Sequence, residues 1–391
     1  MHQVDVAIIG GGLAGSTAAA LLGRAGVKAA LIDPHAVYPQ DFRCEKIDGP
    51  QIETLRRMGL IDQFMPAMTY DRQVWIARLG RLIDRRRGDQ YGFAYEGLVQ
   101  AARSAIPSSV DIITAKATDI STSDQLQQVT LSNGDSITAR LVVLANGLNV
   151  GLRHHLGIER VVTSPCHSIT LGFDLRRRDG QPFPFGSLTY YGESTAAQMA
   201  YLTLFPIGST MRANLMVYRT MDDPWLREMR RSPEQALRQL MPNLHKLTGD
   251  VEVDGPIRIR PADLYVTTGH RQAGIVLVGD AFATSCPAAG TGTRKVFTDV
   301  EQLCKVHIPS WLASDGMDAT KIGQFYDDPV KMACDAASSA LAYQLRSLSI
   351  ENGFVWHLQR WSRFLVRAGI GAMRELRAVV PTRPLQQRPG I

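Results

Sequence analysis

Long apolar runs are missing from this chain of 391 residues. Every hydrophobic stretch is broken by glycine, charge or a polar residue well short of the ~20 residues needed to cross a bilayer, so no spanning segment is expected. A basic start followed by an apolar run is also missing. Val6 to Ile9 lead straight into glycines, so no secretory leader is expected and the expected location is cytoplasmic. Cysteine is scarce and odd in number: Cys44, Cys166, Cys286, Cys304 and Cys334 form no Cys-x-x-Cys pair. That argues against a disulfide framework or zinc site and fits a reducing compartment. His154 and His155 are adjacent, would point apart on helix or strand, and have no third ligand spaced for them, so no metal is expected. The 34 glycines and 20 prolines are too few for a fibrous or low-complexity chain. Charge of one sign is only mildly in excess, 43 basic against 37 acidic residues. Part of it sits in short runs, Arg85 to Arg87, Arg176 to Arg178 and a stretch from Arg360 to Arg388. These read as solvated turns and tail, without the interleaved aromatics of a single-strand groove, so nucleic acid is not an expected partner.

What is present is concentrated at the N-terminus. Val4 to Ile9 reads as a buried strand that ends in Gly10-Gly11-Gly12-Leu13-Ala14-Gly15. An alanine- and leucine-rich helix follows from Ser16 to about Arg24, and Gly26 closes it. A second strand, Ala29 to Ile32, ends at Asp33. This is Gly-x-Gly-x-x-Gly in its strand–turn–helix setting. Gly10 permits the tight turn, Gly12 lets backbone approach a pyrophosphate, and Gly15 lets helix and strand pack closely. The helix start, with Leu13 and Ala14, offers free N–H groups and a positive dipole end to phosphates. Asp33, about twenty residues beyond the first glycine, suits an adenosine ribose with free hydroxyls. The bound dinucleotide is therefore expected to be FAD or NAD.

A downstream segment chooses between them. Gly274 to Val278 reads as an apolar strand running into Gly279-Asp280, and Cys286-Pro287-Ala288-Ala289-Gly290-Thr291-Gly292 then opens a helix through Asp299, Val300 and Leu303. A carboxylate at a strand's C-terminal end faces the ligand crevice of an open α/β sheet. Asp280 can accept hydrogen bonds from a sugar-alcohol chain, which FAD has and NAD lacks.

With these residues in place, the chain resembles the single-component (class A) flavoprotein aromatic hydroxylases. The resemblance covers Val4 to Asp33, Arg43 to Asp48 leading into Ile52 to Leu60, and Gly279 to Leu303. It implies that Arg43 contacts FAD, that Asp280 binds the ribityl chain, and that the turn Pro287, Gly290, Thr291, Gly292 lies along the isoalloxazine. It also implies reduction by NAD(P)H bound transiently at the flavin cleft, and oxygen addition to the flavin as a C4a-hydroperoxide that hydroxylates an electron-rich ring. The sequence departs from the family pattern in places. Asn146-Gly147 stands where Asp-Gly is usual, Tyr95 where an arginine commonly starts a helix, and Thr293-Arg294 where Leu-Asn is frequent, which would put Arg294 near the flavin's pyrimidine edge.

The expected fold class is α/β, with a Rossmann-like FAD-binding domain, an inserted β-sheet substrate domain and C-terminal helices. Expected boundaries are 1–160 with 262–310, then 161–261, then 311–391. Ser168 to Leu175 and Ser187 to Tyr191 read as strands, and Ala200 to Phe205 with Ala213 to Tyr218 as a hairpin. Trp225 to Leu247 reads as helix broken near Pro233 and Pro242. Val110 to Arg140 reads as a meander with an Asn133-Gly134 hairpin. In the tail, Trp356, Trp361, Phe364 and Leu365 give an apolar stripe.

Such a sheet can wall off a flavin, since pockets favour domain interfaces. Tyr190, Tyr191, Met199, Tyr201 and Phe205 are candidate wall residues, with Cys286 and Pro287 beside the ring. Tyr201 and His167 are candidate general bases for a phenolic proton, so the candidate catalytic set is Pro287, Tyr201 and His167. The leading reading is an FAD-dependent monooxygenase acting on an aromatic or polyene small molecule. Cys44-Glu45 keeps a geranylgeranyl-reductase-like flavoprotein open as an alternative. A non-catalytic FAD-binding subunit, with peripheral membrane contact through the basic C-terminus, is another. A halogenase is disfavoured because no Trp-x-Trp-x-Ile-Pro element occurs.

Overall fold

The structure is a computed structural model that describes residues 2–379. Arg383 and Arg388 of the basic tail lie outside the described residues. Two sheets organise the chain. The first has seven strands in the order Asp111–Thr114, Ala29–Asp33, His2–Ile9, Ser136–Leu144, Gln127–Leu131, Ala117–Ser121, with Ile275–Leu277 also paired to Ser136–Leu144. The strands Asp111–Thr114, Ala29–Asp33, His2–Ile9, Ser136–Leu144 and Ile275–Leu277 run parallel, and the last two of the order are antiparallel. The predicted meander is thus only partly realised, because Asp111–Thr114 leaves it to extend the parallel edge beside Ala29–Asp33. Central strands read as unbroken apolar runs because both faces are covered, as parallel sheets require. Val6, Ala7, Ile8, Leu141, Val142 and Val143 are all fully buried.

The second sheet has eight strands in the order Val251–Thr268, Glu159–Arg177, Thr210–Val217, Met199–Ile207, Ser187–Tyr191, Thr69–Arg78, Arg81–Gly92, Lys46–Asp48. Three of these strands, between residues 46 and 92, come from the segment expected to belong to the nucleotide-binding part. Arg85 to Arg87 lie inside Arg81–Gly92 and are not a turn. Strand alternation explains the placement: Arg85 and Arg87 are exposed while Arg86 is half-buried on the opposite side.

The same alternation gives the sheet two unlike faces. Leu171, Phe173, Leu202, Leu204, Ala213 and Leu215 face the helices Pro224–Arg231 and Pro233–Leu240 and form a core with Leu226, Met229 and Leu237. Their neighbours Thr170, Tyr201, Thr203, Phe205, Asn214 and Met216 face the first sheet and line a cavity. The interruptions expected near Pro233 and Pro242 are found: Pro233 opens the helix Pro233–Leu240, and Pro242 lies between its end and the short helix His245–Thr248. The described residues end in the helices Ala319–Tyr326, Pro329–Ile350 and Phe354–Val379. Among the described residues no helix is long and apolar enough to cross a membrane.

Candidate active site: a trench between the two sheets

The trench starts at the glycine turn. A cavity of about 460 Å³ is lined by Gly10, Gly12, Leu13, Ala14, Asp33, Tyr38 and Asn146, among others. Gly10 has φ +104, and a Cβ there would fall 2.6 Å from the Ala145 carbonyl oxygen. At Gly15 a Cβ would fall 1.9 Å from the Gly10 carbonyl oxygen. Gly12 differs: a Cβ there would meet nothing nearer than Tyr38 at 3.9 Å, so its open side is the cavity itself. Asp33 accepts from the Gly11 N–H at 2.6 Å and the His35 N–H at 2.9 Å, and pairs with the Arg103 guanidinium at 3.1 Å. Arg103 also donates to the carbonyls of Gly11, His35 and Ala36 and so ties the whole turn together. Sequence reasoning missed Arg103. Its buried position near the end of the helix Tyr95–Ser104 gives no local signal.

Next along the trench, Arg43 and Asp280 meet. The Arg43 Nη1 donates to Asp280 Oδ2 at 3.0 Å across 237 positions, and Arg43 Nε donates to Asp41. Against the effect of burial, Arg43 and Arg260 hold the Asp41 carboxyl below its usual range. Tyr95 lies beside this pair, with the Arg43 guanidinium 5.8 Å from its ring centroid. Leu13, Arg43, Tyr95, Asp280 and Val296 line both this region and the next, so one groove joins the two. Behind it, Asp299 Oδ2 accepts from the Gly279 N–H at 2.9 Å, and Lys331 pairs with Asp299 at 3.0 Å and Asp335 at 2.8 Å. Lys331 is almost fully buried, and a buried cation persists only when paired this way. The pairing fixes the Gly279-Asp280 turn.

The far end is a chamber of about 290 Å³ that includes Lys46, Tyr201, Thr203, Asn214, Pro287, Gly290 and Gly292 in its walls. Thr291 is not in that wall; its hydroxyl is 2.6 Å from Ser338 and holds the turn from behind. Pro287 lines the chamber as expected. Tyr201 lines it too, but its hydroxyl donates to the Ala288 carbonyl, and burial pushes the phenol far above its ordinary range. At neutral pH the phenol therefore stays protonated and donates, which does not suit the expected general base. His167 is fully buried, with Nδ1 3.0 Å from Ser164 Oγ and Nε2 3.4 Å from the Ala342 carbonyl, and lines none of these cavities. Packing against Tyr218 and Tyr343 accounts for it. Burial also holds its pKa below the usual histidine value.

Other expectations change in the same way. Tyr190 faces the opposite core, where its hydroxyl is tied to Glu193. Cys286, expected beside the ring, is fully buried against Ser168 and lines neither cavity, and burial pushes its thiol up. Arg294 is exposed, and Thr293 takes the place at the chamber wall. Lys46 was not singled out from sequence. Its ammonium lines the chamber, and burial pushes it down to about 8. Beside it, Glu45 accepts from Arg212 and, at 2.9 Å, from Asn214, which fixes the floor of the chamber. Among the described residues no cluster could hold a metal ion.

A largely parallel nucleotide sheet, a largely antiparallel sheet facing it and a groove running from a glycine turn into a chamber are the features of the FAD-dependent oxidoreductases of the class A flavoprotein hydroxylase superfamily. The chain belongs to the FAD binding domain family, whose model matches residues 3–86 and 97–306. It is 25% identical over 333 residues to 3-demethoxyubiquinol 3-hydroxylase of Escherichia coli (strain K12), covering 78% of this chain and 80% of that one. Among solved structures it shares its fold with p-nitrophenol 4-monooxygenase PnpA from Pseudomonas putida, at TM-score 0.75 and 17% identity over 96% of this chain and 97% of that one. P. aeruginosa PqsL, solved in complex with 2-aminobenzoylacetate, gives TM-score 0.67 and 19% identity, with 88% and 97% coverage. The cofactor is FAD, and the protein is an FAD-dependent monooxygenase-family enzyme.

Proposed function

We propose that the protein hydroxylates an aromatic small molecule, using NAD(P)H as electron donor and O₂ as oxygen source. The observation that carries this reading is the single groove from Gly10–Gly15 past Arg43–Asp280 into a chamber walled by one face of the substrate sheet. The residues present fit FAD. The open side of Gly12 leaves room for a pyrophosphate, and Asn146 Oδ1 is buried at this cavity without a hydrogen-bond partner. Gly10, Gly12, Leu13 and Ala14 would hold the diphosphate, with Gly15 letting the helix pack close behind them and Asp33 at the ribose. Arg43 and Asp280 would hold the ribityl arm, and Pro287, Gly290 and Gly292 would back the ring, with Thr291 holding their turn from behind. We assign these to a nucleotide-binding part, 1–160 with 262–310, that lends its strands between residues 46 and 92 to the substrate sheet of 161–261; of the third part, 311–391, the described helices between residues 319 and 379 cover the far side.

Reduced FAD supplies activation of dioxygen when bound. The protein supplies position, a chamber shielded from water and a proton path. Tyr201, kept protonated, can donate a hydrogen bond to a substrate oxygen only by giving up Ala288. Lys46, at about 8, exchanges a proton near neutral pH and faces the chamber. It therefore replaces Tyr201 and His167 as the group that takes the phenolic proton. The test is NADH or NADPH consumption stimulated by a panel of small phenols, with isotopically labelled O₂ to follow the oxygen. Label is expected in the product, and equal turnover without oxygen would overturn the reading in favour of a reductase.

A further inference from the structure

Beyond Lys46 and Tyr201 a second chamber opens, of about 710 Å³, within the size range of ligand pockets. It shares Lys46, Tyr201, Thr203 and Gly290 with the ring chamber. Its walls are apolar on one side, with Met199, Leu341, Leu345, Leu348, Trp361 and Phe364. The charged groups that line it are unbalanced. Lys46, Arg78, Arg86, Arg360 and Arg363 face only Asp48 and Glu193. Both carboxylates are already engaged. Asp48 caps the helix Gly49–Met58 in a capping box, and Glu193 accepts from Tyr190 and from the Asn243 backbone and side chain. Arg360 donates to the carbonyls of Leu348 and Glu351.

Arg78 and Arg86 are the telling pair. Each has its Nε buried without a hydrogen-bond partner among the described residues. Arg78 lies 3.7 Å over the Tyr191 ring, which touches Tyr201 edge-on at 5.7 Å between centroids. Burial, together with the neighbouring Arg367 and Arg363, holds the Arg78 guanidinium below its usual range. Arg367 is answered by Asp84 at 3.9 Å, but the carboxylates of the chamber are too few for its guanidinium groups, and cations drawn out of water in such excess are costly unless an anion completes the site. A guanidinium fork matches a carboxylate or phosphate.

We propose that this second chamber binds an anionic arm of the substrate: a carboxylate or phosphate on an apolar chain whose aromatic end reaches the ring chamber. The assignment rests on the oxygenase reading for the identity of the ring chamber, and it adds the substrate's class, an amphipathic aromatic acid. The arm lies along the leucines and Trp361, and the anion is gripped by Arg78, Arg86 and Arg363.

Calorimetric titration of the FAD-loaded protein tests it without turnover. The probes are para-hydroxyphenyl octanoic acid, its methyl ester and the matching para-hydroxyphenyl octyl phosphate. At least one anion is expected to bind about tenfold tighter than the ester, and the tighter of the two identifies the head group. Arg86→Gln and Arg363→Gln should each remove most of that preference while leaving ester binding in place. Arg363 is on an exposed helix surface, so its variant keeps the fold, as retained flavin colour will report. Equal binding of acids and ester overturns the proposal, and so does a preference that survives both substitutions. Tight binding of NADPH at these arginines with no binding of the acids also overturns it, in favour of a dinucleotide site. If the acids bind as expected but no oxygen reaches any product, the chamber assignment stands and the oxygenase reading falls.

Discussion

The two ends of the trench are built on opposite plans. At the nucleotide end the contacts are made by backbone, and the one acid, Asp33, is answered on the spot by two N–H groups and Arg103. At the chamber end the walls are side chains drawn from distant strands and helices, and Arg78 and Arg86 each keep a buried Nε without a hydrogen-bond partner among the described residues. A backbone site has no room for variation, since a single added carbon collides with a carbonyl that cannot move. A side-chain site can be retuned one residue at a time. On the reading proposed above, the rigid plan would hold the cofactor and the adjustable one the substrate.

Gly15→Ala should give the largest effect. Its Cβ would lie 1.9 Å from a backbone oxygen, so helix and strand must separate. FAD retention should weaken about a hundredfold or more, by ~3 kcal/mol, and gel-filtered protein should be colourless in its visible spectrum. A stable yellow variant would break the contrast between the two ends. Lys46→Met comes next. Only the neutral amine accepts a proton, so turnover by the unmodified protein should rise as pH passes through about 8, the value to which burial drives Lys46 against Asp48 and with Arg86; Cys44 and Asp71 face it as well. The variant should lose roughly a hundredfold in kcat and show no such rise, while keeping its flavin. A rise that persists in the variant would move the proton elsewhere. His167→Asn should do least at the site. KM and kcat are expected within about twofold, with a melting temperature lower by a few degrees, because the ring packs between Tyr218 and Tyr343 away from the chamber. A large kcat loss would return it to the site.

The same contrast decides what can be read from sequence. Gly10, Gly12 and Gly15 declare themselves because a turn and a close approach need glycine within one local unit, and Asp280 because it ends an apolar strand ahead of a second glycine turn. That both face one ligand is therefore an expectation available before any coordinates, and Gly10, Gly12 and Asp280 line one cavity. Arg103, Lys331 and Lys46 were not legible, because their roles depend on partners brought near by folding. Arg86 was read as part of a solvated turn, since three successive arginines mask the alternation that sends the middle one inward. Tyr201 was placed correctly in the wall but given the wrong task, because residue type does not show how far burial lifts a phenol. Tyr190, one position from a wall residue, fell on the other face of the same strand.

In chain order, the strands pass between the two sheets four times: out after Ala29–Asp33, back at Asp111–Thr114, out again at Glu159–Arg177 and home at Ile275–Leu277. Neither sheet is therefore a module that recombination could lift out whole. A chimera that borrows another protein's specificity must exchange two separate stretches together, and one that takes only the later stretch leaves the borrowed sheet without three of its eight strands.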